Sequence, residues 1–168
     1  MSASPIKFGF PTLKAAALAA ALTLVGTAQA QAGPFSNMAG NWAGTGSIAI
    51  GKGTNERIRC QADYQIGNTG DTAAIRLRCA SDSYKFELHG DVRYQNGRVL
   101  GNWSERTRGT GGKVTGAVKG DQIDVRVDGQ SFAALLSLTT RGDKQSIKIT
   151  APVGSEMSEA NITLSRRG

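Results

Sequence analysis

The sequence predicts an all-β fold: an antiparallel up-and-down meander of about 8–10 short strands. Three observations carry that prediction. Apolar and polar residues alternate at period 2 through most of the chain beyond residue 39. Short turn pairs, Asn96-Gly97, Gly120-Asp121, Asp128-Gly129 and Gly142-Asp143, punctuate the alternation. No segment of helical period follows residue 30.

The first 30 residues read as a secretory signal peptide. Lys7 and Lys14 form the basic start, Ala15 to Val25 the apolar run, and Ala28-Gln29-Ala30 the cleavage site. That run is too short to span a bilayer. Cleavage after Ala30 leaves 138 of the 168 residues, one domain's worth. It removes two of the 20 basic residues and none of the 13 acidic ones, so the mature charge is +5. Residues 31–38 are expected to form a flexible tail and residues 39–168 a single domain, periplasmic or secreted.

The strands follow in order. Ile58, Cys60, Ala62 and Tyr64 alternate with Arg59, Gln61 and Asp63, while Ile75, Leu77 and Cys79 alternate with Arg76 and Arg78. Folding at the turn cluster Gly67-Asn68-Thr69-Gly70 sets Cys60 against Cys79, Ala62 against Leu77, Tyr64 against Ile75 and Asp63 against Arg76. In an oxidising compartment the two cysteines predict a disulfide. A zinc site would want four ligands, and the chain has one histidine. Asn96-Gly97 sets Tyr94 against Val99 and Gly90 against Trp103. Gly120-Asp121 turns the next pair of strands. Asp128-Gly129 sets Val125 against Phe132 and Ile123 against Ala134, and Gly142-Asp143 sets Leu138 against Ile147.

This arrangement gathers Trp42, Ile48, Ile58, Leu77, Leu88, Val125, Leu136 and Leu164 on one face and nearly every charge on the other. Asp63 with Arg76, Arg76 with Glu87 and Glu87 with Arg106 form an alternating charge ladder outside. A charged exterior excludes an outer-membrane barrel, which needs an apolar belt. An apolar interior in one continuous meander favours a closed barrel; a flattened β-sandwich is the alternative.

Gly40-Asn41-Trp42 is similar to the G-x-W that opens the first strand of lipocalins and other calycins. In those families the tryptophan closes one barrel end beneath an arginine of the last strand, which makes Arg166 or Arg167 the candidate partner here. The resemblance thus implies a calycin-like barrel. The segments FSNMAGNWAGTG, ERIRC, LRCASDSYKFEL, GNWSERTRG and FAALLSLTTRGDKQS resemble a family of uncharacterised exported alphaproteobacterial β-barrel proteins. That likeness implies export and the pairing of Cys60 with Cys79. It carries over no functional residue.

The chemistry of the chain points to binding rather than catalysis. Parity places His89 on the charged face opposite Ser104, with no carboxylate expected behind the ring. Glu105 falls on the inner face near a strand end, with no second carboxylate to pair with it. Arg141-Gly142-Asp143 sits at a hairpin tip, where Gly-Asp is good turn chemistry. The sequence carries no phosphate loop, metal cluster or nucleotide fingerprint, so no cofactor and no metal are expected. Nucleic acid is not expected either, and no membrane-spanning segment remains after signal cleavage.

Two surfaces remain as candidates. Inside, Trp42, Tyr64, Tyr84, Phe86, Trp103 and Phe132 would line a hollow barrel suited to a neutral or largely apolar small molecule or lipid. In a filled barrel the same residues are core. Outside, Arg57, Arg59, Arg76 and Arg78 cluster as a candidate patch for an anionic envelope surface. The leading expectation is a non-catalytic periplasmic carrier of an apolar molecule or lipid. The alternative is an envelope interaction protein with a filled core, working through those arginines or as a protease-inhibitor-like barrel with QAGPFSNM as its inserting element.

Overall fold

The computed structural model describes residues 32–130, 132–152 and 154–168; the expected signal peptide lies outside the described residues. A short 3-10 helix, Ser36–Met38, precedes ten strands. These are β1 (Gly40–Ile50), β2 (Thr54–Ile66), β3 (Thr72–Ala80), β4 (Lys85–Gln95) and β5 (Arg98–Glu105). β6 (Thr110–Lys119), β7 (Gln122–Gly129), β8 (Ala133–Arg141), β9 (Lys144–Thr150) and β10 (Met157–Arg166) complete the set. Each strand pairs antiparallel with the next, and β10 returns to pair with β1, closing the barrel. Closure leaves no sheet edge for another chain to extend.

The turn chemistry explains most of the registers. Cys60 faces Cys79, Ala62 faces Leu77, Tyr64 faces Ile75 and Asp63 faces Arg76. Gly90 faces Trp103, Tyr94 faces Val99, and Leu138 faces Ile147. At the β4–β5 turn both Asn96 and Gly97 have positive φ, 52° and 80°, the backbone that a tight two-residue hairpin requires. The expected disulfide is present, with Cα atoms 4.2 Å apart across neighbouring strands.

Two registers differ from expectation. β7 keeps pairing with β6 as far as Gly129, so Asp128-Gly129 stays in the strand instead of turning it. Val125 therefore faces Leu136 rather than Phe132, and Ile123 faces Leu138 rather than Ala134. The offset is even, so inner and outer faces are preserved. Between β3 and β4, Ser81 accepts from the Tyr84 amide through its hydroxyl and donates its own amide to the Tyr84 carbonyl, forming a longer loop. Arg76 consequently faces His89, and Arg78 takes the place opposite Glu87.

The segment expected to be a flexible tail is docked. Gly33 and Phe35 donate their amides to Thr69 and Gly70 of the β2–β3 loop, at 2.7 and 3.0 Å. The 3-10 helix touches β2 and β8, strands on opposite sides of the ring, so it spans one end of the lumen. Phe35 and Met38 are buried to 1% and 2% exposure. The described part of QAGPFSNM, residues 32–38, is thus engaged by the barrel rather than free to insert elsewhere. A Phe and a Met sealed from water contribute about 1.5–3 kcal/mol each, enough to offset the ordering of several residues.

The two barrel ends are unlike. At the plugged end lie the two-residue turns 96–97, 120–121 and 142–143, together with loop 67–71. The other end carries connections 51–53, 81–84, 106–109, 130–132 and 151–156. Longer connections at that end leave room for a mouth.

Candidate functional site

Beneath the plug, the barrel end is held by Trp42 and Arg166. Trp42 donates its indole N–H to the Met38 carbonyl at 2.8 Å. The Arg166 guanidinium lies 4.3 Å above the indole ring, the arrangement expected from the G-x-W start. Arg166 also donates to the carbonyls of Asn37 and Ala39 and to Asp143. One side chain of the last strand thus fastens the plug, the first strand and the β8–β9 turn. Trp42 is 1% exposed and forms part of this closed end; it does not line the cavity above.

Above Phe35 and Met38 the interior is not filled. Leu88, Val92, Val125, Leu136 and Leu138 point inward but are only partly covered. They surround an apolar chamber of about 90 Å³ with Phe35 and Met38 at its base. A second chamber of about 150 Å³ lies towards the mouth, sharing Leu88, Trp103, Val127 and Leu136 with the first. Phe132 meets Trp103 edge to face, with ring centroids 5.7 Å apart, and Phe86 and Tyr84 complete the aromatic wall.

Polar groups sit at the two extremes. At the closed end the Tyr64 hydroxyl donates to Gln145 at 2.7 Å, and the Gln145 amide donates to Thr140 at 3.0 Å. Burial pushes the Tyr64 phenol well above its ordinary range, so it stays neutral. Its hydroxyl is thereby committed to the protein, while its ring borders the inner chamber. At the mouth the Arg108 guanidinium stacks 4.5 Å over the Tyr84 ring. Arg108 also donates to Glu156 at 2.8 Å and to the Lys85 carbonyl at 3.0 Å, joining three of the long connections. The hydrogen bond from Arg108 holds the Glu156 carboxyl below its usual range.

Glu105 is the interior-facing acid, 8% exposed. Its carboxylate accepts the amides of Glu87, Thr107 and Arg108 at 2.9, 2.9 and 2.7 Å. Burial alone would raise its pKa; these hydrogen bonds outweigh that and lower it. A carboxylate so engaged shapes the β5–β6 turn and has little capacity left for proton transfer.

Of the sequence-derived interior set, Tyr84, Phe86, Trp103 and Phe132 meet in the outer chamber and Tyr64 borders the inner one. Phe35, Met38, Arg108 and Glu156 were not anticipated. The three-residue spacing of Phe35 and Met38, one helical turn, is a signal that could have found them and was not used. On the outer wall, Arg59 and Arg78 border a shared trough, while Arg57 and Arg76 lie outside it. Glu87 does lie beside His89, its Oε1 2.8 Å from Nε2, although no carboxylate was expected there. This contact is on the half-exposed outer face, where Glu87 also meets Arg78 at 3.4 Å.

Comparison with known proteins bears on the fold. No protein-family model matches the chain, and no curated protein matches it in sequence. Among solved structures it is similar to Rv2717c from M. tuberculosis, with TM-score 0.63 and 18% identity over 79% of this chain and 94% of that one. It is also similar to the S-type phycobiliprotein lyase CPES from Guillardia theta, with TM-score 0.55 and 12% identity over 80% of this chain and 90% of that one. At these identities the likeness establishes a shared barrel fold.

Proposed function

We propose that the protein is an exported binding protein that holds a small, largely apolar molecule inside the barrel. The observation that carries this reading is the incomplete coverage of inward-pointing Leu88, Val125, Leu136 and Leu138 around two adjoining, mainly apolar chambers that share lining residues. A barrel selected only for stability would fill such space, because unfilled apolar volume forfeits packing contacts. An apolar cavity of roughly 150 Å³ admits a benzene-sized molecule. A ligand here is therefore a single ring or short chain, or a longer molecule that displaces the mouth.

One fold neighbour is a phycobiliprotein lyase. The fold is thus compatible with both binding and catalysis, and the site must decide between them. Its interior acid is occupied by backbone amides, and the wall of the inner chamber is hydrocarbon. Both features support binding without chemistry. Export is supported by the signal-like N-terminus and by a disulfide, which persists in oxidising compartments. No described helix is long and apolar enough to cross a membrane.

The test is native mass spectrometry of the protein purified from its own envelope without reductant. A stoichiometric apolar adduct, lost in Leu136→Phe, is the expected result. A bare polypeptide across preparations, with no uptake of added apolar probes, would overturn the reading.

A further inference from the structure

The outer wall over β10, β1, β2, β3 and β4 carries an open trough of about 1070 Å³. The register builds it. Ala43, Gln61, Arg78 and Glu87 follow one another across four strands, and Thr45, Arg59, Ala80 and Lys85 form the adjacent row. Small residues make the floor, and long cations rise beside them. Arg59, Arg78, Lys85, Arg106, Arg166 and Arg167 border the trough, against one acid, Glu87.

That acid is already committed to Arg78 and His89, at 3.4 and 2.8 Å. Arg166 is committed to Asp143 and Trp42. Among the described residues, Arg59, Lys85, Arg106 and Arg167 form no ion pair. Elsewhere among the described residues Lys and Arg are equalled in number by Asp and Glu, some of them in ion pairs: Arg126 with Asp128 at 2.7 Å, Arg141 with Asp121 at 3.3 Å and Lys148 with Glu159 at 3.9 Å. The protein's excess positive charge is therefore concentrated in this one concavity.

We infer that the trough is a second binding site, separate from the interior, and that its occupant is a strand of anionic polysaccharide. Unpaired like charges on neighbouring strands repel, and an anionic polymer lying along them relieves that repulsion at several points at once. Guanidinium groups match carboxylate and sulfate geometry with paired hydrogen bonds. Thr45, Gln61, Thr107 and Ser165 along the trough supply partners for sugar hydroxyls. Single-stranded nucleic acid would want exposed aromatic platforms. Phe86, the aromatic residue bordering the trough, is buried and belongs to the interior chamber. A bilayer surface would suit a convex face with apolar residues to insert. Leu135, the exposed large hydrophobic among the described residues, stands on β8, outside the trough and separated from its β10 edge by β9.

The experiment is a titration of the disulfide-bonded protein with fluorescein-labelled oligogalacturonate, followed by anisotropy at several salt concentrations. Neutral dextran, a single-stranded oligonucleotide and phosphatidylglycerol vesicles are run alongside. Two double variants carry the same charge change: Arg59→Gln with Arg106→Gln in the trough, and Arg126→Gln with Lys148→Gln outside it. All four side chains are on the outer surface, and thermal melts confirm that each variant is folded. The trough variant should weaken oligogalacturonate binding by about tenfold or more, the loss of two charge-assisted contacts. The outside variant should stay within about twofold, and Kd should rise with salt. Absence of binding, equal loss in both variants, or tighter binding of vesicles or oligonucleotide would each overturn the proposal. Uptake of an apolar probe by the interior should be the same in all forms, so this result and that of the interior reading are separable.

Discussion

Arg166 shows how much one side chain can organise. Its guanidinium covers Trp42, binds two carbonyls of the plug segment and pairs with Asp143. Arg166→Ala should lower stability by about 2–3 kcal/mol, since the buried Trp42 indole loses its cover and two plug carbonyls and Asp143 lose their partner; urea denaturation measures it. Arg166→Lys should recover little, because an ammonium cannot stack and fork in the same way. At the other end, Glu105 is held below its ordinary pKa by three backbone amides. A carboxyl with a depressed folded-state pKa stabilises fully above the unfolded value of about 4.3 and loses that contribution as pH falls through the folded value. Glu105→Gln should therefore destabilise by about 1–2 kcal/mol at neutral pH, and the difference from the parent should shrink on acidification below about pH 4. Thermal melts across that range test both statements.

The elements place their own demands. The β2–β3 hairpin carries the disulfide over a sequence separation of 19 residues. Replacing both cysteines with alanine should cost about 3 kcal/mol by the chain-entropy account, read from chemical denaturation. The β1–β10 seam closes the ring, and it does so at glycine. A Cβ on Gly44 would stand 1.9 Å from the Thr163 carbonyl oxygen, and one on Gly46 would stand 2.0 Å from that of Asn161. Gly44→Ala must push the seam apart, with an expected loss of about 3 kcal/mol and faster amide exchange along β1 and β10. The 3-10 plug is judged by Phe35→Ala, which should cost about 3–5 kcal/mol if the floor cannot collapse. The same change should let apolar probes enter from the plugged end.

For the molecule as a whole, the question is whether the interior space is used. Filling it separates stability from function: Leu136→Phe occupies volume shared by both chambers. In a hollow barrel the added ring should be neutral or stabilising while abolishing uptake of apolar ligands. In a packed core the same change would cost about 1–3 kcal/mol. A melt and a probe titration on one variant therefore report on architecture and function together. The asymmetry of the ends suits such use, with the floor tied by Trp42 and Arg166 and the mouth bridged by Arg108 over Tyr84.

How much of this could be read in advance depends on the range of the interaction. Strand identity, the two faces, the Cys60–Cys79 register and the Asn96-Gly97 turn were legible, because alternation and turn chemistry act over a few neighbouring residues. The pairing of Trp42 with an arginine of the last strand was legible through the G-x-W resemblance. Where β7 keeps pairing with β6 through Gly129, a third element overrode the local turn signal; the β3–β4 loop is set by Ser81 bonding Tyr84, a contact that no turn pair announced. The docking of Phe35 and Met38 was hidden for a related reason. A polar-flanked segment with two apolar residues is ordered only if a pocket of the right shape exists elsewhere in the chain. The candidate interior divides in the same way. Trp103, Phe132, Tyr84 and Phe86 announced themselves as inward aromatics, whereas the space between them is a property of ring closure that no single strand encodes. The sequence by itself determined the strands, their faces and the staple. Only the tertiary structure decided that the barrel is plugged at one end, unfilled above the plug, and bordered outside by unmatched cations, because each of these depends on residues distant in sequence meeting around a closed ring.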